Sequence, residues 1–300
     1  RSPSANAGVS GAATLPTLSD TNSLTNALLG AANATERGQF IAWGQGIDPQ
    51  TNARRQQVAD VLHNEPKLVA YRTDENLARV SNATKSSGDP TYDPLLGDSL
   101  EQLYLFFSTN EGLIHAVDAA TGVEKFAFIP KELLANLGAY YKNAKGGAKT
   151  YGMDGQLNLW VEYSALDTDN QTRSLSKAYL YAGMRRGGRN YYALDVTRLD
   201  APKLKWVIKG GESGFEALGQ TWSAPLLGKL KIDGTPTKVL VFSGGYDVAQ
   251  DNDEPNTPAD DRLGNALYIV DADSGKLLWR AGNDPAANLQ VASMTNSLPA

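Results

Sequence analysis

Cysteine is absent from this 300-residue chain, and histidine occurs only twice. The missing thiols exclude cysteine nucleophiles, disulfide frameworks and cysteine-based zinc or iron–sulfur centres. They leave the compartment open. Long apolar runs are also missing, with nothing near the roughly 18–20 residues that span a bilayer. Positive charge is not in excess either: 28 Lys+Arg against 33 Asp+Glu give a net −5, which argues against a chain built around nucleic-acid phosphates. G-x-S-x-G, H-E-x-x-H, P-loop and G-x-G-x-x-G patterns do not occur. No signal peptide is visible, and the chain begins Arg1-Ser2-Pro3 rather than with Met, which reads as a processed product or an excised piece.

Residues 1–34 are Ala, Ser, Thr, Asn and Gly with few charges, the composition of a flexible linker or arm that buries little apolar surface. Residues 35–60 are mixed, with Phe40-Ile41-Ala42-Trp43, and read as a segment that docks on the domain with a short helix. From residue 61 to 300 the text changes to short aromatic and β-branched runs between Gly, Asp, Asn and Pro clusters. The clearest are Leu103–Ser108, Glu124–Ile129, Leu157–Tyr163, Tyr191–Leu194, Val239–Ser243 and Leu267–Val270. Runs of this length and composition predict a multi-stranded antiparallel protein. One helix is predicted over Pro130–Gly138, with Pro at its start and Gly at its end.

Repeats give the architecture. A small hydrophobic strand, an Asp, a turn and a strand ending in an aromatic recur three times. The instances are Ile114–Asp118 leading to Phe126, Tyr192–Asp195 leading to Trp206, and Tyr268–Asp271 leading to Trp279. A second landmark precedes each unit: His63-Asn64-Glu65-Pro66, then a divergent Tyr151-Gly152-Met153-Asp154-Gly155, then Thr221-Trp222-Ser223-Ala224-Pro225. It returns as Thr295-Asn296-Ser297-Leu298-Pro299. The expectation is an all-β chain, a β-propeller of four-stranded antiparallel blades with long insertions and one or two short helices. The Asp caps the turn, and Gly122 and Gly275 supply positive φ. About three blades and the start of a fourth are expected, with the domain incomplete at its C-terminal end. A β-sandwich with coincidental Asp turns is the alternative.

The densest chemistry lies between Asp247 and Asp261, where six carboxylates fall in fifteen residues and no Lys or Arg intervenes. Like charges this close repel unless neutralised, and Ca²⁺ takes six to eight hard oxygen ligands from such loops. Asp251 and Asp253 have the spacing of the first two EF-hand ligands, Asn256 stands where that loop wants Gly, and Asp260 or Asp261 closes the sphere. Pro255 and Arg262 rule out a standard twelve-residue EF loop. The all-oxygen donors favour Ca²⁺ over zinc; a solvated acidic insertion is the bland alternative. Weaker candidates are Asp167-Thr168-Asp169-Asn170, read as an Asx turn, and Arg185-Arg186-Gly187-Gly188-Arg189, read as a solvated turn rather than an anion site. Neither His63 nor His115 forms a catalytic constellation.

The stretch from about Phe40 onward resembles the C-terminal β-propeller domain of the PilY/PilC family of type IV pilus tip-associated adhesin and biogenesis proteins. The carriers are Val61–Val69, Asn110–Asp118, Phe128–Leu134, Arg186–Val196, Trp222–Pro225 and Gly264–Asp271. The resemblance implies a non-enzymatic, exported protein at the pilus tip or cell surface, transiently periplasmic. It implies partners among minor pilins and host or abiotic surfaces, and roles in pilus assembly and attachment. It also implies a Ca²⁺ loop that sets the balance of extension and retraction, mapped here onto Asp251–Asp261 with most weight on Asp251, Asp253 and Asp261. The segment Asp271–Trp279 also resembles the blade-docking repeat of pyrroloquinoline-quinone dehydrogenases, so a quinone oxidoreductase is one alternative function. A generic interaction propeller is another.

Overall fold

A computed structural model describes residues 2–3, 13–19, 23–75, 85–92, 101–143, 149–168, 171–252 and 260–299. Apart from three two-residue bridges, its strands fall into three antiparallel meanders of four. The first comprises β1 (Lys67–Asp74), β2 (Gln102–Ser108), β3 (Ile114–Asp118) and β4 (Glu124–Ile129). The second comprises β5 (Leu157–Tyr163), β6 (Thr172–Gly183), β7 (Asn190–Asp195) and β8 (Lys203–Lys209). The third comprises β9 (Leu226–Ile232), β10 (Thr235–Ser243), β11 (Ala266–Asp271) and β12 (Leu277–Gly282). These are propeller blades, as the repeats predict. The end of β1 crosses to its neighbour, where Arg72, Thr73 and Asp74 pair with Ser174, Arg173 and Thr172 of β6.

The repeated aspartates do the work expected of them. Asp118 Oδ1 accepts the N–H groups of Ala120 and Thr121, Asp195 Oδ1 that of Thr197, and Asp271 Oδ1 that of Ser274. Hydrogen bonds from the Thr121 amide, above all, hold the Asp118 carboxyl below its ordinary range. Gly122 and Gly275 close two of these turns at φ 72° and 73°.

The aromatic at the end of the second unit joins two blades. Trp206 lies against the backbone of Gly275, where a Cβ would stand 2.8 Å from the indole. Its Nε1 donates to Ala272 O at 3.2 Å, and the Tyr181 hydroxyl donates to the same oxygen at 3.0 Å. The Tyr181 and Trp206 rings stack 5.8 Å apart. Around them Tyr191, Phe215, Phe242 and Tyr268 close the core between the second and third blades. Fully burying one such side chain is worth about 1.5–3 kcal/mol. The joint between the first two blades uses Tyr71, whose hydroxyl donates to Val196 O at 2.5 Å.

Two expectations change. Within the stretch read as a flexible arm, Leu15, Leu18, Leu24 and Leu29 are buried in the core of the first two blades. Four leucines spread among small polar residues barely raise the average hydropathy, which hid them. There α1 (Asn26–Leu29) is capped by Thr25, and α2 (Ala34–Gly44) by Asn33, with Glu36 reaching back to the Ala32 amide. The helix predicted over Pro130–Gly138 is instead a 3₁₀ turn, Lys131–Asn136, followed by α3 (Leu137–Lys142). Gly138 does not end it: the Phe40 ring packs onto its α-carbon, where a Cβ would lie 2.7 Å from the ring edge.

Two glycines in the same turn type therefore separate backbone cost from packing cost. A Cβ at Gly122 meets no atom within 4 Å, so Gly122→Ala should cost only the left-handed backbone term, about 1–2 kcal/mol. Gly275→Ala should cost a further ~1–3 kcal/mol by pushing Trp206 off the joint. Urea unfolding of the two variants checks the difference; equal losses would show that Trp206 does not lock the blades.

Candidate functional site

The second and third strands of each blade are joined by a loop at one end: residues 109–113, 184–189 and 244–265. The landmark segments dock onto these loops in succession. Met153 N donates to Thr109 O, and Gly152 N to Asn110 Oδ1. Thr221 Oγ1 accepts from Met184 N at 2.8 Å and from Arg185 N at 3.2 Å. At the third loop, Asp261 N donates to Thr295 O, and Leu298 pairs with Gly245 and Gly264. The acidic segment is thus the third blade's version of a short structural loop, lengthened by insertion.

Its stem is closed by its outermost carboxylates. Asp247 is buried; its Oδ2 accepts the Arg262 and Leu263 amides at 2.9 and 3.0 Å, and its Oδ1 accepts the Ala249 amide. Asp261 is also buried, and its Oδ2 accepts from Gln250 Nε2 and Ser297 N, while Oδ1 takes no hydrogen bond among the described residues. Asp251 is exposed and accepts the Tyr246 hydroxyl at 2.7 Å; Asp260 is exposed. Asp253 and Asn256 lie outside the described residues. Of the expected metal set, then, Asp251, Asp260 and Asp261 share one loop, with Asp261 partly spent on the stem. Among the described residues no three carboxylate or histidine groups form a metal cluster, and no Lys or Arg ion-pairs with the loop's carboxylates.

Tyr246 carries the loop's influence inward. Its phenol pKa is pushed up to about 12, first by the hydrogen bond to Asp251, then by partial burial and the Asp251 charge. Its ring stacks on Trp222 with centroids 4.6 Å apart. The guanidinium groups of Arg185 and Arg186 lie 4.2 and 4.8 Å from the Trp222 ring centroid. Arg185 has φ 50°, uncommon for a residue with a side chain, and its Nη1 donates to Asp154 Oδ2 at 3.1 Å.

Asp154 is the residue that sequence reasoning passed over. Its carboxylate is wholly buried. It accepts from Asn110 Nδ2 at 2.9 Å and meets His63 Nδ1 at 3.0 Å as well as Arg185. One side chain thus ties the segment before the first blade, that blade's loop and the second blade's loop. Its only signal was a place in the divergent landmark.

The minor candidates resolve structurally. Asp167 Oδ1 accepts the Thr172 amide in a turn; Asp169 and Asn170 lie outside the described residues. Arg189 donates to the Leu218 and Glu216 carbonyls, so the arginine-rich turn is built into the fold. His115 pairs with Glu124 at 2.9 Å and stacks on Phe107. None of the described helices is long and apolar enough to cross a membrane.

No family model matches the chain. It is similar to the type IV pilus biogenesis factor PilY1 of Pseudomonas aeruginosa, with 28% identity over 248 residues, covering 81% of this chain and 19% of that protein. A PilY1 homolog of Xylella fastidiosa is 30% identical over 213 residues, covering 71% of this chain and 15% of the relative. Among solved structures, the Pseudomonas aeruginosa PilY1 C-terminal domain aligns at 24% identity and a TM-score of 0.38, over 63% of this chain and 32% of that one. The chain spans less than a fifth of the length of these two curated relatives. By this likeness in sequence, the chain belongs to the PilY1 family of type IV pilus biogenesis factors.

Proposed function

We propose that this chain is a non-enzymatic, calcium-binding part of a type IV pilus-associated protein, located at the cell surface or pilus tip. There it supports pilus biogenesis, the control of extension and retraction, and surface attachment. Family membership supports the pilus role, with minor pilins as partners on the protein side and a host or abiotic surface on the other. The calcium reading rests on one observation. The loop's outer carboxylates, Asp247 and Asp261, fasten its stem, while Asp251 and Asp260 have no ion-pairing Lys or Arg among the described residues.

The donor set suits a hard cation, because it offers oxygens alone. Asp251, Asp253, Asn256 and Asp260, with the remaining oxygen of Asp261, are the residues that would hold the ion. Bound Ca²⁺ would supply charge neutralisation and loop order, not chemistry. The chain's own residues do the rest: the stem holds the loop ends together, and Tyr246 couples Asp251 to the Trp222 face. Ordering this loop presents or withdraws a surface for a pilin partner, a two-state device biased by the ion. The histidines are both engaged with carboxylates, His63 with Asp154 and His115 with Glu124.

Calorimetric titration with Ca²⁺ should show a single saturable site, with affinity at least tenfold weaker in the Asp253→Ala, Asp261→Ala double variant. Unchanged binding there sinks the assignment. Trp222 emission should shift with the same midpoint as Asp251 turns from Tyr246 to the ion, and Asp251→Asn should remove the shift.

Asp247→Ala separates stem from ligand. It removes the charged acceptor of the Ala249, Arg262 and Leu263 amides and should cost about 1.5–3 kcal/mol of stability. Limited proteolysis should then cut the 247–261 loop faster in the variant. A loop as resistant as wild type would show that Asp247 does not close it.

A further inference from the structure

The third blade carries a second charged feature of opposite sign, which the acidic loop does not explain. In the β9–β10 hairpin, Lys229 stands directly across from Lys238. Like charges placed opposite each other weaken a sheet, whereas a carboxylate in one of the two positions would strengthen it. Lys231, two residues along β9, lies on the same face as Lys229. None of the three has an ion-pairing carboxylate among the described residues. The face also turns toward the second blade, because the Lys238 ammonium lies 5.8 Å from the centroid of the Trp160 ring on β5.

Two more lysines converge there. Lys177 sits 4.2 Å from the Trp160 ring centroid, and Lys205 sits 3.9 Å from that of Tyr179. Their stems are largely buried, with side-chain exposures of 28% and 11%. These two are paired, Lys177 with Glu162 and Lys205 with Asp273. The Lys238 ammonium therefore stands beside a floor of aromatic rings and paired lysines, with Lys229 across the hairpin from it and Lys231 two positions along. A chain of net charge −5 keeps three uncompensated lysines together at a cost in sheet stability. Local rules are broken in this way where a site needs it.

We infer that this lysine face, at the joint of the second and third blades, binds a linear anionic polysaccharide carrying carboxylates at intervals along its chain. Ammonium groups act as separate point charges on flexible stems, which suits spaced carboxylates; a compact phosphate or a bidentate carboxylate clamp would be served better by arginine forks. Single-stranded nucleic acid needs an open aromatic face for base stacking. Trp160 offers none, being buried beneath Lys177 and Lys238.

The test is retention of the full chain on immobilised polygalacturonate in EDTA, which makes it independent of the calcium loop. Binding should weaken at least tenfold between 50 mM and 300 mM salt, in step with screening. The variant Lys229→Glu, Lys231→Glu, Lys238→Glu should lose at least tenfold in affinity. The control Lys67→Glu, Lys85→Glu, Lys131→Glu, with the same net charge, should retain it. Lys229→Glu alone should raise the unfolding midpoint, because it converts the Lys–Lys pair into an ion pair, and should still weaken binding; this keeps loss of fold apart from loss of site. Equal loss in both triple variants, binding to neutral dextran, or tighter binding to an oligonucleotide or to acidic vesicles than to polygalacturonate would overturn the inference.

Discussion

The carbonyl of Ala272 accepts two hydrogen bonds from the neighbouring blade, one from the Trp206 indole and one from the Tyr181 phenol. The whole arrangement depends on such a joint. A four-stranded blade has two faces and cannot bury both alone, so it must stack against another. Burial supplies most of the energy but no register. Register comes from the Asp turn, which fixes where the Ala272 carbonyl points, and from Gly275, which leaves room for the indole above it. The burial of Ala266, Tyr268 and Val270 on β11, alternating with half-buried Leu267 and Ile269, follows once that face is committed to the second blade. A one-residue slip would turn Tyr268 away from Phe242 and Tyr191.

At the loop end the same problem is solved with polar groups. Buried polar groups there must be satisfied, and an ionised one needs both a countercharge and hydrogen bonds. Asp154 has both, and the groups that satisfy it come from two blades and from the segment before them. The lengthened 244–265 loop can vary because Asp247 and Asp261 reproduce this closure with backbone amides. Acidic residues could then be added in the middle without opening the blade. The opposing signs in the sequence follow: the 247–261 segment carries −6, and the rest of the chain comes to about +1.

The blades were legible because their signals are local and repeated. Asp118, Asp195 and Asp271 each cap a turn within a few residues, and the strand-ending aromatics recur at matching places. What stayed hidden depends on distant partners. Nothing near Gly138 announces that Phe40, about a hundred residues earlier, makes it a packing glycine instead of a terminator. Leu15 and Leu18 are buried by strands that follow much later. Asp154 looked like one more carboxylate in a divergent landmark because Arg185 and His63 lie 31 and 91 residues away. The Lys229–Lys238 clash required the hairpin register, which no composition gives.

The two charged features of the third blade sit at opposite ends of one strand. The acidic loop leaves β10 after Ser243, whereas Lys238 lies five positions earlier and Lys229 across from it. At a rise of roughly 3.3 Å per residue, those five positions separate them by roughly 17 Å. The screening length at physiological ionic strength is about 8 Å. Attraction between the two is therefore mostly screened, and neither neutralises the other. Had the lysines stood beside Asp251 or Asp260, they would have supplied the loop's countercharge and left it little use for a metal ion. Placed this far off, they leave Asp251 and Asp260 without a lysine partner, and have no ion-pairing carboxylate themselves among the described residues. The same separation means that the cation proposed for the loop and the anionic chain proposed for the hairpin would bind independently of each other.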